Sequence, residues 1–196
     1  MKLDQLQPYV PLNALVFIEK WIEKYSLTLK ITKNRKTKLG DYRKIKENNR
    51  HQITINGDLN QEAFFFVLTH EIAHMMIYDR FNFGEILPHG KEWKKLFSEL
   101  LIESHHIYSY HLQEYILKHA KSPKASVGAD SSIAKFLINE AKFNQLYLVD
   151  IPLGHYFIFK NKIYIKGEKL KLRYVCCEIK TQRKYLINAT ALVEKI

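Results

Sequence analysis

His70-Glu71-Ile72-Ala73-His74 sets two imidazoles and a carboxylate inside an otherwise apolar stretch, with Phe64, Phe65, Phe66, Val67 and Leu68 before it and Met75, Met76 and Ile77 after it. On an α-helix, residues four apart share one face and lie about 6 Å apart along the axis. Both rings can then grip one ion, and imidazole donors suit Zn2+. Glu71 falls about 100° round the helix. That puts a carboxylate beside the metal without making it a ligand, where a general base for a metal-activated water belongs. The chemistry this spacing predicts is peptide hydrolysis, with His70 and His74 as metal ligands and Glu71 as the catalytic residue. The rival reading is a pair of core histidines bonded to backbone. Burying two rings and a carboxylate without a partner is costly, which favours the metal.

Catalytic zinc usually takes three protein ligands and a water. The extended form of the motif fails here, because Ile77 and Arg80 stand where Gly and a third His are needed. His89 is the best-placed third donor. It lies in Pro88-His89-Gly90, a turn by composition, ahead of a helical stretch that begins near Lys91. Glu99, Glu103, His105 and His106 are the alternatives. Tyr78, Tyr108 and Tyr110 are candidate proton donors to the oxyanion, and nothing in the spacing selects one.

The elements that must position these residues follow from pattern. Asn60 is a candidate N-cap for a helix from about 61 to 78, with Glu62 in its first turn. Residues 12–25 carry Leu15, Phe17, Ile18, Trp21 and Ile22 at helical spacing, with Pro11 at the start. Residues 91–119 predict one long helix with an apolar stripe of Trp93, Leu96, Phe97, Leu100 and Leu101. Residues 27–32 and 52–56 alternate as strands, and 38–42, with its Gly, predicts a turn. Residues 121–130 have linker composition, and 131–144 predict a short helix with Ile133, Phe136, Leu137 and Ala141 on one side. Four strands are expected beyond, at 155–159, 162–166, 170–178 and 184–188. The expected domains are 1–120, a linker at 121–130, and a basic β-rich element at 131–196.

The motif at 70–74 followed by Pro88-His89-Gly90-Lys91-Glu92-Trp93 resembles the SprT-like family of zinc metallopeptidases, which includes the Spartan-type proteases. Residues 35–42 and Ile53-Thr54-Ile55-Asn56 resemble that family's strands ahead of the metal helix. The resemblance runs from about residue 10 to 120. It implies an α+β, zincin-like core with the motif helix packed on a small antiparallel sheet. It also implies zinc held by His70, His74 and His89, with Glu71 catalytic, and for Spartan-type members cleavage of proteins on DNA. In zinc peptidases of this build a strand such as 53–56 lies at the sheet edge and pairs with extended substrate. Relatives often carry a C-terminal zinc ribbon with two pairs of cysteines. This chain has only the adjacent Cys176 and Cys177, so the expected element keeps the ribbon's place without its metal.

Charge bears on partners. The 196 residues carry a formal net charge of +11. Between Lys30 and Arg50 there are nine basic and two acidic residues, and the region after residue 120 is strongly basic as well. Both stretches suit a phosphate backbone. Tyr156, Phe157, Phe159, Tyr164, Tyr174 and Tyr185 interleave with the C-terminal lysines and suggest stacking platforms for single-stranded or damaged DNA. A protein substrate and DNA are thus the expected partners. The alternative function is a nucleic-acid-binding or regulatory protein with a vestigial or single-substrate protease site. Two adjacent cysteines exclude a disulfide framework. No apolar run suits a membrane span and no signal-peptide core opens the chain, so the expected location is cytoplasmic.

Overall fold

The computed structural model describes residues 3–35, 38–45, 50–81, 87–125, 130, 133–135 and 145–196. The chain divides into two compact units, Met1–Ala125 and Ser126–Ile196. Both mix features of an α+β protein: helices and a small sheet in the first, a larger sheet in the second.

In the first unit a 3-10 segment, Leu3–Tyr9, leads into α1 (Ala14–Ile22). The strands β1 (Leu27–Thr32), β2 (Gly40–Ile45) and β3 (Arg50–Asn56) follow, then α2 (Gln61–Arg80), α3 (Lys91–Ser104) and α4 (Tyr110–Ala120). The three strands lie in the order β1-β3-β2. β1 runs parallel to β3, and β2 runs antiparallel to it. The sheet is therefore mixed, not antiparallel as expected. The segment 53–56 belongs to the central strand, so its two edges are occupied and it cannot add a substrate strand. The turn expected at 38–42 is instead the start of edge strand β2. Asp41 holds it locally, accepting from Lys38 and Arg43 at 2.8 Å each.

α2 is the axis of this unit. A helix that is apolar nearly all round belongs in a core, and this one packs on β2, β3, α1 and α3. Its N-cap is Asn60, whose side chain accepts from the Ala63 N–H at 2.8 Å. Phe64, Phe65, Phe66 and Leu68 are fully buried. Trp21 of α1 stacks on Phe65 with ring centroids 6.0 Å apart, and its indole N–H donates to Glu103 of α3 at 3.0 Å. The single long helix expected over 91–119 is broken. A 3-10 turn at His105–Ile107 and an extended Tyr108 separate α3 from α4, with Ser104 and Tyr108 buried on either side of the break.

The second unit is a six-stranded sheet in the order β4-β9-β5-β6-β7-β8: β4 (Gln145–Tyr147), β5 (Tyr156–Phe159), β6 (Lys162–Leu170), β7 (Arg173–Glu178), β8 (Lys184–Asn188) and β9 (Leu192–Lys195). All its pairings are antiparallel. The strand expected over 170–178 is a hairpin turn and a strand: Lys171 sits at φ 51°, in the left-handed region that turns the chain. β4 and β9 are additional to the four strands expected. Most of the helix expected at 131–144 lies outside the described residues. Phe157, Tyr164 and Tyr174 are core residues, grouped with Leu148, Ile151, Cys176 and Val193. Of the six aromatics expected as stacking platforms, only Tyr156 and Tyr185 are exposed. Alternation had marked the right faces but not which face was wet. Cys176 and Cys177 form no disulfide. Among the described residues no helix is long and apolar enough to cross a membrane.

Candidate metal centre

His70 and His74 stand one turn apart on the part of α2 that reaches α3. His89 enters from the turn before α3, where Gly90 caps the helix and its N–H donates to Leu87 O at 2.9 Å. The three Nε2 atoms converge: His74 to His89 3.0 Å, His74 to His70 3.2 Å, His89 to His70 3.4 Å. Tetrahedral zinc with Zn–N bonds of ~2.0–2.1 Å would set its donors roughly 3.3 Å apart. The donor set fits a metal ion, and it is the only such cluster of three among the described residues.

Burial holds all three rings below their ordinary pKa, and each is pushed further by neighbouring basic groups. His70 lies well below 6.5, with His74, His89 and His119 adding to the effect. His74 falls to about 3, with His89 adding. His89 is lowered as well, helped by Lys94. Neutral imidazole is the form that binds metal.

An aromatic floor fixes the ring orientations. Trp93, fully buried in the first turn of α3, lies 4.7 Å from His70, 5.1 Å from His74 and 4.7 Å from His89 between ring centroids. Phe97 backs it at 4.9 Å. The Trp93 Nε1–H meets no acceptor among the described residues. Sequence reasoning placed Trp93 in a core stripe. Its spacing of four from His89, across a turn into a helix, was the available signal that it also serves the site.

Glu71 is 7% exposed. Its carboxylate faces β2, where the backbone N–H of Tyr42 donates to it. Desolvation pushes its pKa up to about 8, and Asp41 pushes the same way, while Tyr42 N–H, Lys38 and Arg35 oppose. A bound divalent cation would add positive charge and favour the ionised form. Gly40, two residues before Tyr42, lies directly against the same carboxylate.

The alternative third donors lie elsewhere. Glu103 is taken by Lys20 and Trp21, Glu99 is exposed on α3, His105 bonds Ile102 O, and His106 packs on Phe17. Of the three tyrosines, Tyr108 is buried against Phe65 and Tyr110 is exposed. Tyr78 alone lies beside β2, with its ring 5.4 Å from Tyr42. Within the basic stretch before β3, Arg35 is used internally, donating to Asn56 at 2.8 Å and Thr54 at 2.9 Å.

A model of the SprT-like family matches residues 9–119. Among curated proteins the chain is similar to Protein SprT of Glaesserella parasuis serovar 5 (strain SH0165), with 49% identity over 35 residues, 18% of this chain and 21% of that one. It is similar to Protein SprT of Pectobacterium carotovorum subsp. carotovorum (strain PC1), with 46% identity over 43 residues, 21% of this chain and 24% of that one. Protein SprT of Escherichia coli O1:K1 / APEC gives 44% over 43 residues, 21% and 25% of the two chains. The chain thus covers a quarter or less of the length of these relatives. No solved structure matches it.

Proposed function

The chain belongs to the SprT-like family, and from that premise we propose that it is a zinc-dependent endopeptidase. The observation that carries the reading is the convergence of three neutral imidazole nitrogens within 3.4 Å, with Glu71 on the same helix one residue from His70. A zinc ion bound there would polarise the scissile carbonyl and acidify a water. His70, His74 and His89 would hold the ion, and Trp93 keeps their rings aimed. Glu71 takes the proton of the attacking water and passes it to the leaving amine.

Substrate would lie along β2. Leu39 O accepts from Asn56 N–H at 2.9 Å and Gly40 pairs with Ile55. Alternate residues of an antiparallel pair face the partner strand, so Gly40 and Lys44 turn their backbone groups outward, as does the Tyr42 carbonyl, while the Tyr42 N–H is held by Glu71. No described strand lies beyond them. An extended peptide can add there by main-chain hydrogen bonds. Proteins bound to DNA are the narrower substrate class we infer, on charge: Lys160, Lys162, Lys171, Arg173, Arg183 and Lys184 are all exposed on the second unit.

The test is metal analysis with hydrolysis of an unstructured protein, with and without single-stranded DNA, for wild type and Glu71→Gln. The variant should retain zinc and lose turnover by at least about a hundredfold. Turnover equal to wild type would remove Glu71 from the mechanism. Zinc binding with no hydrolysis by either protein would favour a regulatory or nucleic-acid-binding role.

A further inference from the structure

We infer that Gly40 is a positioning residue for the general base, a conclusion that rests on the role proposed for Glu71. Gly40 is the first residue of β2, and a glycine in a strand often marks the close approach of another group. Backbone conformation is not the reason, since Gly40 is not at positive φ; among the described glycines only Gly154 is. The reason is close approach. A Cβ built at Gly40 would stand 2.6 Å from Val67 Cγ1, 2.7 Å from Glu71 Oε1 and 3.0 Å from Glu71 Cγ. Val67 and Glu71 are one turn apart on α2, so the strand crosses the helix at this point with no room for a methyl group.

That crossing sets the base. Two residues on, the outward N–H of Tyr42 donates to the Glu71 carboxylate. The same stretch of edge strand therefore supplies a donor to Glu71 and the space in which its side chain lies. A methyl at 40 has two ways out. It can drive the Glu71 side chain from its rotamer, or it can lift β2 from α2 and draw the Tyr42 N–H away. Either displaces the base relative to three metal ligands that do not touch Gly40. A small displacement of a catalytic group is enough to cost roughly a hundredfold in rate.

The experiment separates this role from ordinary packing. Gly40→Ala should lower kcat by roughly a hundredfold, with zinc affinity, read by competition with a chromophoric chelator, held within about twofold. Gly40→Ala/Val67→Ala removes the clash with Val67 and leaves the clash with Glu71. It should leave kcat low, whatever it does to thermal stability. Recovery of kcat would reduce Gly40 to a packing residue and overturn the proposal. A second measurement needs no activity. In metal-free protein, the melting temperature lost on Gly40→Ala should be smaller in a Glu71→Ala background than in wild type. Equal losses in both backgrounds also overturn the proposal. If wild type loaded with zinc hydrolyses nothing, the general-base reading falls, and the melting-temperature cycle still reports whether Gly40 and Glu71 compete for one space.

Discussion

Both units bury ionisable side chains, and they treat them in opposite ways. In the second unit Lys166 is 3% exposed. Its ammonium donates to the carbonyls of Val149 and Ile151 and lies 3.9 Å from the centre of the Tyr174 ring. Glu178 in the same sheet is met by Lys162 at 3.1 Å. Each of these charges is answered within the fold. In the first unit Glu71 has the Tyr42 N–H and a raised pKa. Three imidazoles turn their lone pairs toward one point and are held in their neutral form. A buried group that the fold satisfies is a structural part. A buried cluster that the fold leaves wanting a cation is a candidate for chemistry.

The largest way to break this contrast is His74→Ala. It should weaken zinc binding by roughly a hundredfold or more, measured by chelator competition. Undiminished affinity would mean the ion sits elsewhere. Acidity gives the next effect, in metal-free protein. His70, His74 and His89 have folded pKa values below their ordinary 6.5, reaching about 3 for His74. The unfolded chain therefore binds more protons between those limits, and stability is lost as pH falls below 6.5. Glu71 has the opposite sign. Its folded value of about 8 exceeds 4.5, so the folded chain holds the extra proton, and stability is lost as pH rises through that window. Melting temperature should thus peak near the histidine value, and Glu71→Gln should flatten the alkaline side and steepen the acid side down to about 4.5. A profile with no alkaline fall in wild type would contradict the burial of Glu71. The smallest effect is expected from Lys166→Met. It leaves two buried carbonyls without their donor and should cost about 1–3 kcal/mol of stability by denaturant titration, with zinc affinity unchanged. A change in zinc affinity would dissolve the distinction between the two units.

Legibility in the sequence followed the same division. The metal helix and the triad stood out because polar residues in an apolar run demand an explanation, and imidazoles four apart supply one. The edge strand did not stand out. Gly40 and the basic residues around it look like a turn, and the pressure that keeps a glycine there comes from Val67 and Glu71, distant in sequence. The break after Ser104 was hidden because His105 and His106 continue a helical pattern whose end is set by tertiary packing of Tyr108. In the second unit the alternation of β5 to β8 was plain, yet Phe157, Tyr164 and Tyr174 could be assigned to core or surface only once the neighbouring strands were in place. β4 and β9 are three and four residues long, too short for alternation to register.

The order β1-β3-β2 constrains how the first unit assembles. Its first two strands are not neighbours: β2 takes β3 as its antiparallel partner, and β1 joins β3 in parallel from the other side. The last strand to emerge must slot between them, and the Arg35 guanidinium in the β1–β2 connection finds Thr54 and Asn56 only then. Sequence-distant pairing of this kind slows folding. It also means that the strand beside Glu71 is paired with the strand that leads directly into the helix carrying Glu71, so the two sides of the site are joined through one short stretch of chain.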